Sequence, residues 1–112
     1  HAAAMGERLS EHLRRLQRDF PQLGDIRGRG LMLGVELVDP TGKPDALGHP
    51  PVFAQLAPRV QRECLKRGLI LELGGRQGSV VRFLPPLVIT ANEIDQVAAI
   101  FGHAVAAATA GR

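Results

Sequence analysis

The chain has no tryptophan and no tyrosine, and only four phenylalanines. Its core must therefore be built from Leu, Val, Ile and Ala. With one cysteine, Cys64, there is no internal disulfide, which fits a reducing compartment and points to the cytoplasm. No apolar run approaches the ~20 residues that a membrane span needs. The opening His1-Ala2-Ala3-Ala4 resembles neither a signal peptide nor a transit peptide. His1, His12, His49 and His103 stand singly, none in a metal-ligand spacing. Lysine is confined to Lys43 and Lys66, so twelve of the fourteen basic residues are Arg. The net charge of +3 comes without any basic run interleaved with aromatics, which argues against a nucleic-acid surface.

What is present is 112 residues, 45% of them hydrophobic, enough for one core and one domain. Met5, Leu9, Leu13, Leu16 and Phe20 step by three and four, the face of an amphipathic helix from Ala2 to about Asp19. Pro21 and Gly24 end it. This helix opens the chain without a capping residue, as in a segment cut from a longer protein. Asp25 to Gly30 and Leu31 to Val38 read as a short strand, a glycine-permitted kink and a longer strand. Asp39 to Pro51 is a proline- and glycine-rich loop.

A second helix is expected from about Val52 to Arg67, with Phe53, Leu56, Val60 and Cys64 on one face. Pro58 either kinks it or sits in its first regular turn. Gly68 is the expected left-handed terminator. Leu69 to Leu73 and Val80 to Phe83 read as strands around a glycine-rich loop, Gly74 to Ser79, and Leu87 to Ile89 as a short extended piece. Thr90 and Glu93 form a capping box. The helix behind it places Ile94, Val97, Ala98, Phe101 and Val105 together and frays after Ala106. The order α-β-β-α-β-β-α implies an α+β fold, a small, mostly antiparallel sheet with helices on one face.

Little of this carries chemistry. Cys64 falls on an apolar helical face without a His and Asp pair to activate it, as an inert core residue would. His12 borders the apolar face of its helix and reads as structural. Gly28 to Gly34 is no dinucleotide fingerprint, because its glycines lead into a strand rather than a helix. Arg82 is the exception. An arginine enclosed by Val81 and Phe83 in an apolar strand is costly to bury without an anionic partner. That partner could be Glu36 or Glu72 on a neighbouring strand, or a ligand carboxylate held by the guanidinium fork.

The string from Gly74 to Thr90, GGRQGSVVRFLPPLVIT, resembles the carboxy-terminal segment of class III aminotransferases dependent on pyridoxal phosphate. IRGRGLMLGVEL, from Ile26 to Leu37, is similar to the same family's motif at the start of its small domain. Within the family the likeness is nearest to diaminobutyrate–2-oxoglutarate aminotransferases. The resemblance implies the small carboxy-terminal domain, residues 1–112, of a fold-type-I enzyme whose large, cofactor-binding domain is absent. It implies that Arg82 binds the α-carboxylate of an amino- or oxo-acid substrate, typically glutamate or 2-oxoglutarate, and that the Gly74–Ser79 loop approaches the active-site mouth. It further implies transfer of nitrogen between an ω-amino donor such as 2,4-diaminobutyrate, or glutamate, and 2-oxoglutarate, in a cytoplasmic homodimer. Neither Lys43 nor Lys66 matches the family's Schiff-base lysine. No catalytic or cofactor-binding residue, no bound pyridoxal phosphate and no transaminase activity are therefore expected of this segment alone. A free-standing small-molecule-binding or protein-interaction domain is the alternative, the latter permitted by basic charge and an exposed first helix.

Overall fold

The computed structural model describes residues 1–86 and 88–110. Helix α1 spans Ala2–Asp19, and strands β1 (Leu23–Arg29) and β2 (Met32–Leu37) form a hairpin. Helix α2 covers Leu56–Lys66, strands β3 (Glu72–Gly74) and β4 (Val80–Phe83) form a second hairpin, and α3 runs Ala91–Thr109. The four strands order as β1-β2-β4-β3, antiparallel throughout. This is the α+β arrangement that the element order implies. Alternation sorts the sheet into two faces. Val35, Leu37, Val81 and Phe83 are buried in one core with Leu9, Leu13, Val60, Ile94 and Phe101 from the helices.

Phe83 and Phe101 meet edge to face, their ring centres 4.9 Å apart, and fix β4 against α3. The first helix is not exposed on all sides, since Leu9 and Leu13 are fully buried. A Cβ at Gly6 would stand 1.9 Å from the carbonyl oxygen of Gly30, so α1 rests backbone to backbone on the β1–β2 turn. Gly30 makes that turn with φ +53°, a conformation that costs glycine little. The run from Gly28 to Gly34 is thus a hairpin and not a kink between strands.

Three elements depart from the sequence reading for a visible reason. Helix α2 begins at Leu56 rather than Val52, because Val52 bridges Val38 and the Phe53 amide donates to Leu37 O at 2.8 Å. Pro58 then falls in the first turn, where its missing N–H has no intrahelical acceptor to lose. Gly68, at φ +88°, terminates the helix as expected. The strand expected from Leu69 to Leu73 shortens to Glu72–Gly74. The Leu69 amide donates to Cys64 O and the Leu71 carbonyl accepts from Gln61 Nε2, both at 2.9 Å, so neither enters a ladder.

Helix α3 does not fray after Ala106. It continues to Thr109, holding Ala108 in the core and bonding the Thr109 hydroxyl to Val105 O at 2.8 Å. Its capping box is complete, with Glu93 N to Thr90 Oγ1 at 3.2 Å and Thr90 N to Glu93 Oε1 at 2.9 Å. In the extended piece expected from Leu87 to Ile89, Leu87 lies outside the described residues and Val88 occupies a turn. Among the described residues, no helix is long and apolar enough to cross a membrane.

Candidate functional site

Val81 and Phe83 point into the core, so the pleat turns Arg82 to the opposite, helix-free face. Arg82 is therefore not enclosed, and 48% of its side chain is exposed. The apolar letters around it serve the core face, and their burial does not extend to the arginine. Register places Arg27, Gly34, Arg82 and Glu72 in one row across all four strands. Around that row lies an open depression of ≈ 440 Å³, lined by Arg27, Met32, Gly34, Glu72, Arg82 and Leu84 among others.

Two glycines flank Arg82, and one of them makes room for the guanidinium. At Gly34, directly opposite Arg82, an added Cβ would lie 3.0 Å from Val80 Cγ1 and 3.9 Å from Arg82 Cγ. At Gly74, an added Cβ would lie 2.4 Å from Arg82 Cζ and 2.6 Å and 2.7 Å from its terminal nitrogens. The guanidinium thus lies directly over the bare backbone of β3. Gly75 also lines the depression, so the glycine-rich segment does approach this site. Arg76 and Ser79 belong to the turn beyond it, where the buried Ser79 hydroxyl donates to Arg76 O at 2.7 Å.

Of the two acidic partners proposed for Arg82, Glu36 is engaged elsewhere, 3.5 Å from Arg27 Nη2. Glu72 is the neighbour, its Oε1 4.0 Å from Arg82 Nη1. That separation exceeds the roughly 2.7–2.9 Å of a charge-assisted hydrogen bond. Neither side chain makes a hydrogen bond among the described residues. The contrast with the closed pairs is sharp. Arg8 grips Asp95 through two bonds of 2.8 Å, and Glu63 holds Lys66 at 2.9 Å and Arg67 at 2.8 Å. An exposed arginine with its fork uncommitted, beside a groove with a glycine floor, can receive a small carboxylate in bidentate fashion.

The remaining candidates resolve as structure. Cys64 is fully buried, and burial pushes its thiol up to about 11, with Arg67 opposing and Glu63 adding to the shift. The thiolate needed of a nucleophile is suppressed there. His12 Nε2 lies 2.8 Å from Asp95 Oδ1, joining α1 to α3 together with Arg8. Sequence spacing alone carries no sign of this contact, 83 residues apart. Among the described residues, no group of three or more His, Cys, Asp or Glu is placed to hold a metal. Lys66 faces Glu63, and neither it nor Lys43 lines the depression around Arg82.

Comparison with known proteins identifies the family. The family described as aminotransferase class-III matches residues 1–105. A diaminobutyrate–2-oxoglutarate aminotransferase of Rhizobium meliloti (strain 1021) is 57% identical over 96 residues, covering 86% of this chain and 20% of the relative. An enzyme of the same name from Haemophilus influenzae (strain ATCC 51907 / DSM 11121 / KW20 / Rd) is 40% identical over 105 residues, covering 94% and 23%. The solved N-acetylornithine aminotransferase of Stenotrophomonas maltophilia K279a superposes with a TM-score of 0.80 at 28% identity, covering 99% of this chain and 27% of that one. The chain spans about a fifth of the length of the curated relatives it matches.

Proposed function

The chain belongs to the class-III aminotransferase family, and from that premise we propose that it is the carboxy-terminal small domain of a longer aminotransferase in which Arg82 binds the substrate carboxylate. The observation that carries this is the uncommitted guanidinium on the open face of the sheet, 4.0 Å from its nearest acid. A planar fork held over Gly74 gives a carboxylate two parallel bonds and one orientation. Orientation is what a group-transfer reaction needs from a residue remote from the bond being broken. The supported donor is an ω-amino acid, 2,4-diaminobutyrate, and the acceptor 2-oxoglutarate, since two relatives of high identity carry those names.

The family is dependent on pyridoxal phosphate, but the residues of this chain do not fit that group. Lys66 is paired with Glu63 on α2, and Lys43 sits in the proline-rich loop, so neither stands where a Schiff base could form beside Arg82. We therefore assign this segment substrate binding and no catalytic residue, with the cofactor and its lysine on the large domain. A cytoplasmic homodimer completes the proposal for the full-length enzyme.

The test is production of glutamate from 2-oxoglutarate. The full-length enzyme should form it with 2,4-diaminobutyrate as donor, and residues 1–112 alone should form none. A full-length enzyme inactive with this pair, or an active isolated segment, would overturn the assignment.

A further inference from the structure

Two apolar side chains stand beside Arg82, on a sheet face where alternation ordinarily places polar residues. Met32 is 69% exposed and Leu84 53%, and both line the same depression as the guanidinium. Register explains the grouping. Leu33 faces Phe83 and Gly34 faces Arg82, so alternation puts Met32, Gly34, Arg82 and Leu84 on one face of the sheet. On the other side of Arg82 along β4, Val80 is buried, and its Cγ1 lies 3.0 Å from where a Cβ at Gly34 would stand. The arginine is therefore bordered along its strand by apolar groups on both sides, with Gly74 beneath its guanidinium.

An ion pair on an open sheet face is weak, because water and salt screen it. The same pair strengthens as its surroundings lose water. A carboxylate docked on Arg82 brings its carbon skeleton into the depression, where it covers Met32 and Leu84 and is covered by them. Removing that apolar area from water is favourable in itself, and it leaves the guanidinium–carboxylate bonds in a drier setting. We propose that Met32 and Leu84 form an apolar collar that excludes water from the carboxylate on Arg82 and so sets the affinity for the oxo-acid substrate. This rests on the functional assignment above, in which Arg82 takes the carboxylate of 2-oxoglutarate. The two side chains bind no charge and move no proton, and their part is to keep the ion pair dry. The plain alternative is that they seat another part of the longer enzyme, as exposed apolar groups at interaction surfaces do, and contribute to stability alone.

The salt response of KM for 2-oxoglutarate in the full-length enzyme separates these. Met32→Gln and Leu84→Gln, alone and together, keep similar bulk and bring amides that hold water. The double variant should raise KM about tenfold, with a smaller effect on kcat. Its KM should also climb more steeply than that of the unaltered enzyme between about 0.05 and about 0.5 M NaCl. Met32→Leu, which keeps the collar apolar, should stay near the unaltered values. Calorimetric titration with glutarate, an inert dicarboxylate, supplies a readout without turnover, and its Kd should follow the same pattern. Arg82→Gln is the reference, since it removes the ion pair, raises KM and flattens the salt response. A double variant with unaltered KM and salt slope would overturn the collar, as would a raised KM with an unaltered slope, the mark of changed packing. Both results leave the role of Arg82 standing. An unchanged KM in Arg82→Gln would instead remove that role, and the collar with it.

Discussion

A missing side chain at position 74 lets Arg82 lie where it does. The guanidinium occupies the volume that a β-carbon there would fill, only 2.4 Å from Cζ. Gly74 has no positive φ, so alanine is compatible with its backbone, and the flexible arginine is the group that must yield. Gly74→Ala should therefore leave the thermal midpoint nearly unchanged and raise KM for carboxylate substrates of the full-length enzyme about tenfold. An unchanged KM would mean that the guanidinium position does not matter. At this scale the sequence was legible at Arg82, where a charge interrupts apolar letters, but the inference of burial from those letters was mistaken. Val81 and Phe83 describe the opposite face of the strand. Glu72 was one of two acids the sequence offered as partner, and only the β3–β4 register selects it and gives Gly74 a meaning.

At the scale of elements, α1 and α3 are joined by apolar packing and by one polar clamp, Asp95 receiving Arg8 and His12. The bonds from Arg8 and then His12 hold the Asp95 carboxyl well below its ordinary value of 3.8. A carboxyl depressed in the folded state contributes stability that is complete above the unfolded value and is lost as pH falls toward the folded one. Asp95→Asn should therefore lower the melting temperature near neutral pH, with the gap closing on acidification below about 3.8. A gap unchanged between about pH 7 and about pH 2 would contradict the linkage. Because both groups are partly solvent-exposed, high salt should also narrow it. The elements themselves were largely readable. The Thr90–Glu93 box and Gly68 marked real helix ends, while the starts of α2 and β3 were displaced by hydrogen bonds to residues distant in sequence.

Among the described residues, one sheet carries helices on one side and an open depression of ≈ 440 Å³ on the other. Element order and alternation sufficed to expect that α+β architecture, because each helix and strand carries its own periodicity. The strand order β1-β2-β4-β3 was not expressed in any local pattern. It inserts β4 beside β2 and so brings Arg82 opposite Gly34 and Glu72. That single topological fact converts scattered residues into a site.

The central claim is that the Arg82 fork binds a substrate carboxylate, and steady-state kinetics of Arg82→Lys in the full-length enzyme test it most directly. Lysine keeps the positive charge and loses the bidentate geometry. The expected result is a rise in KM of about tenfold or more for both donor and acceptor, with a smaller effect on kcat. Kinetics indistinguishable from those of the unaltered enzyme would contradict it.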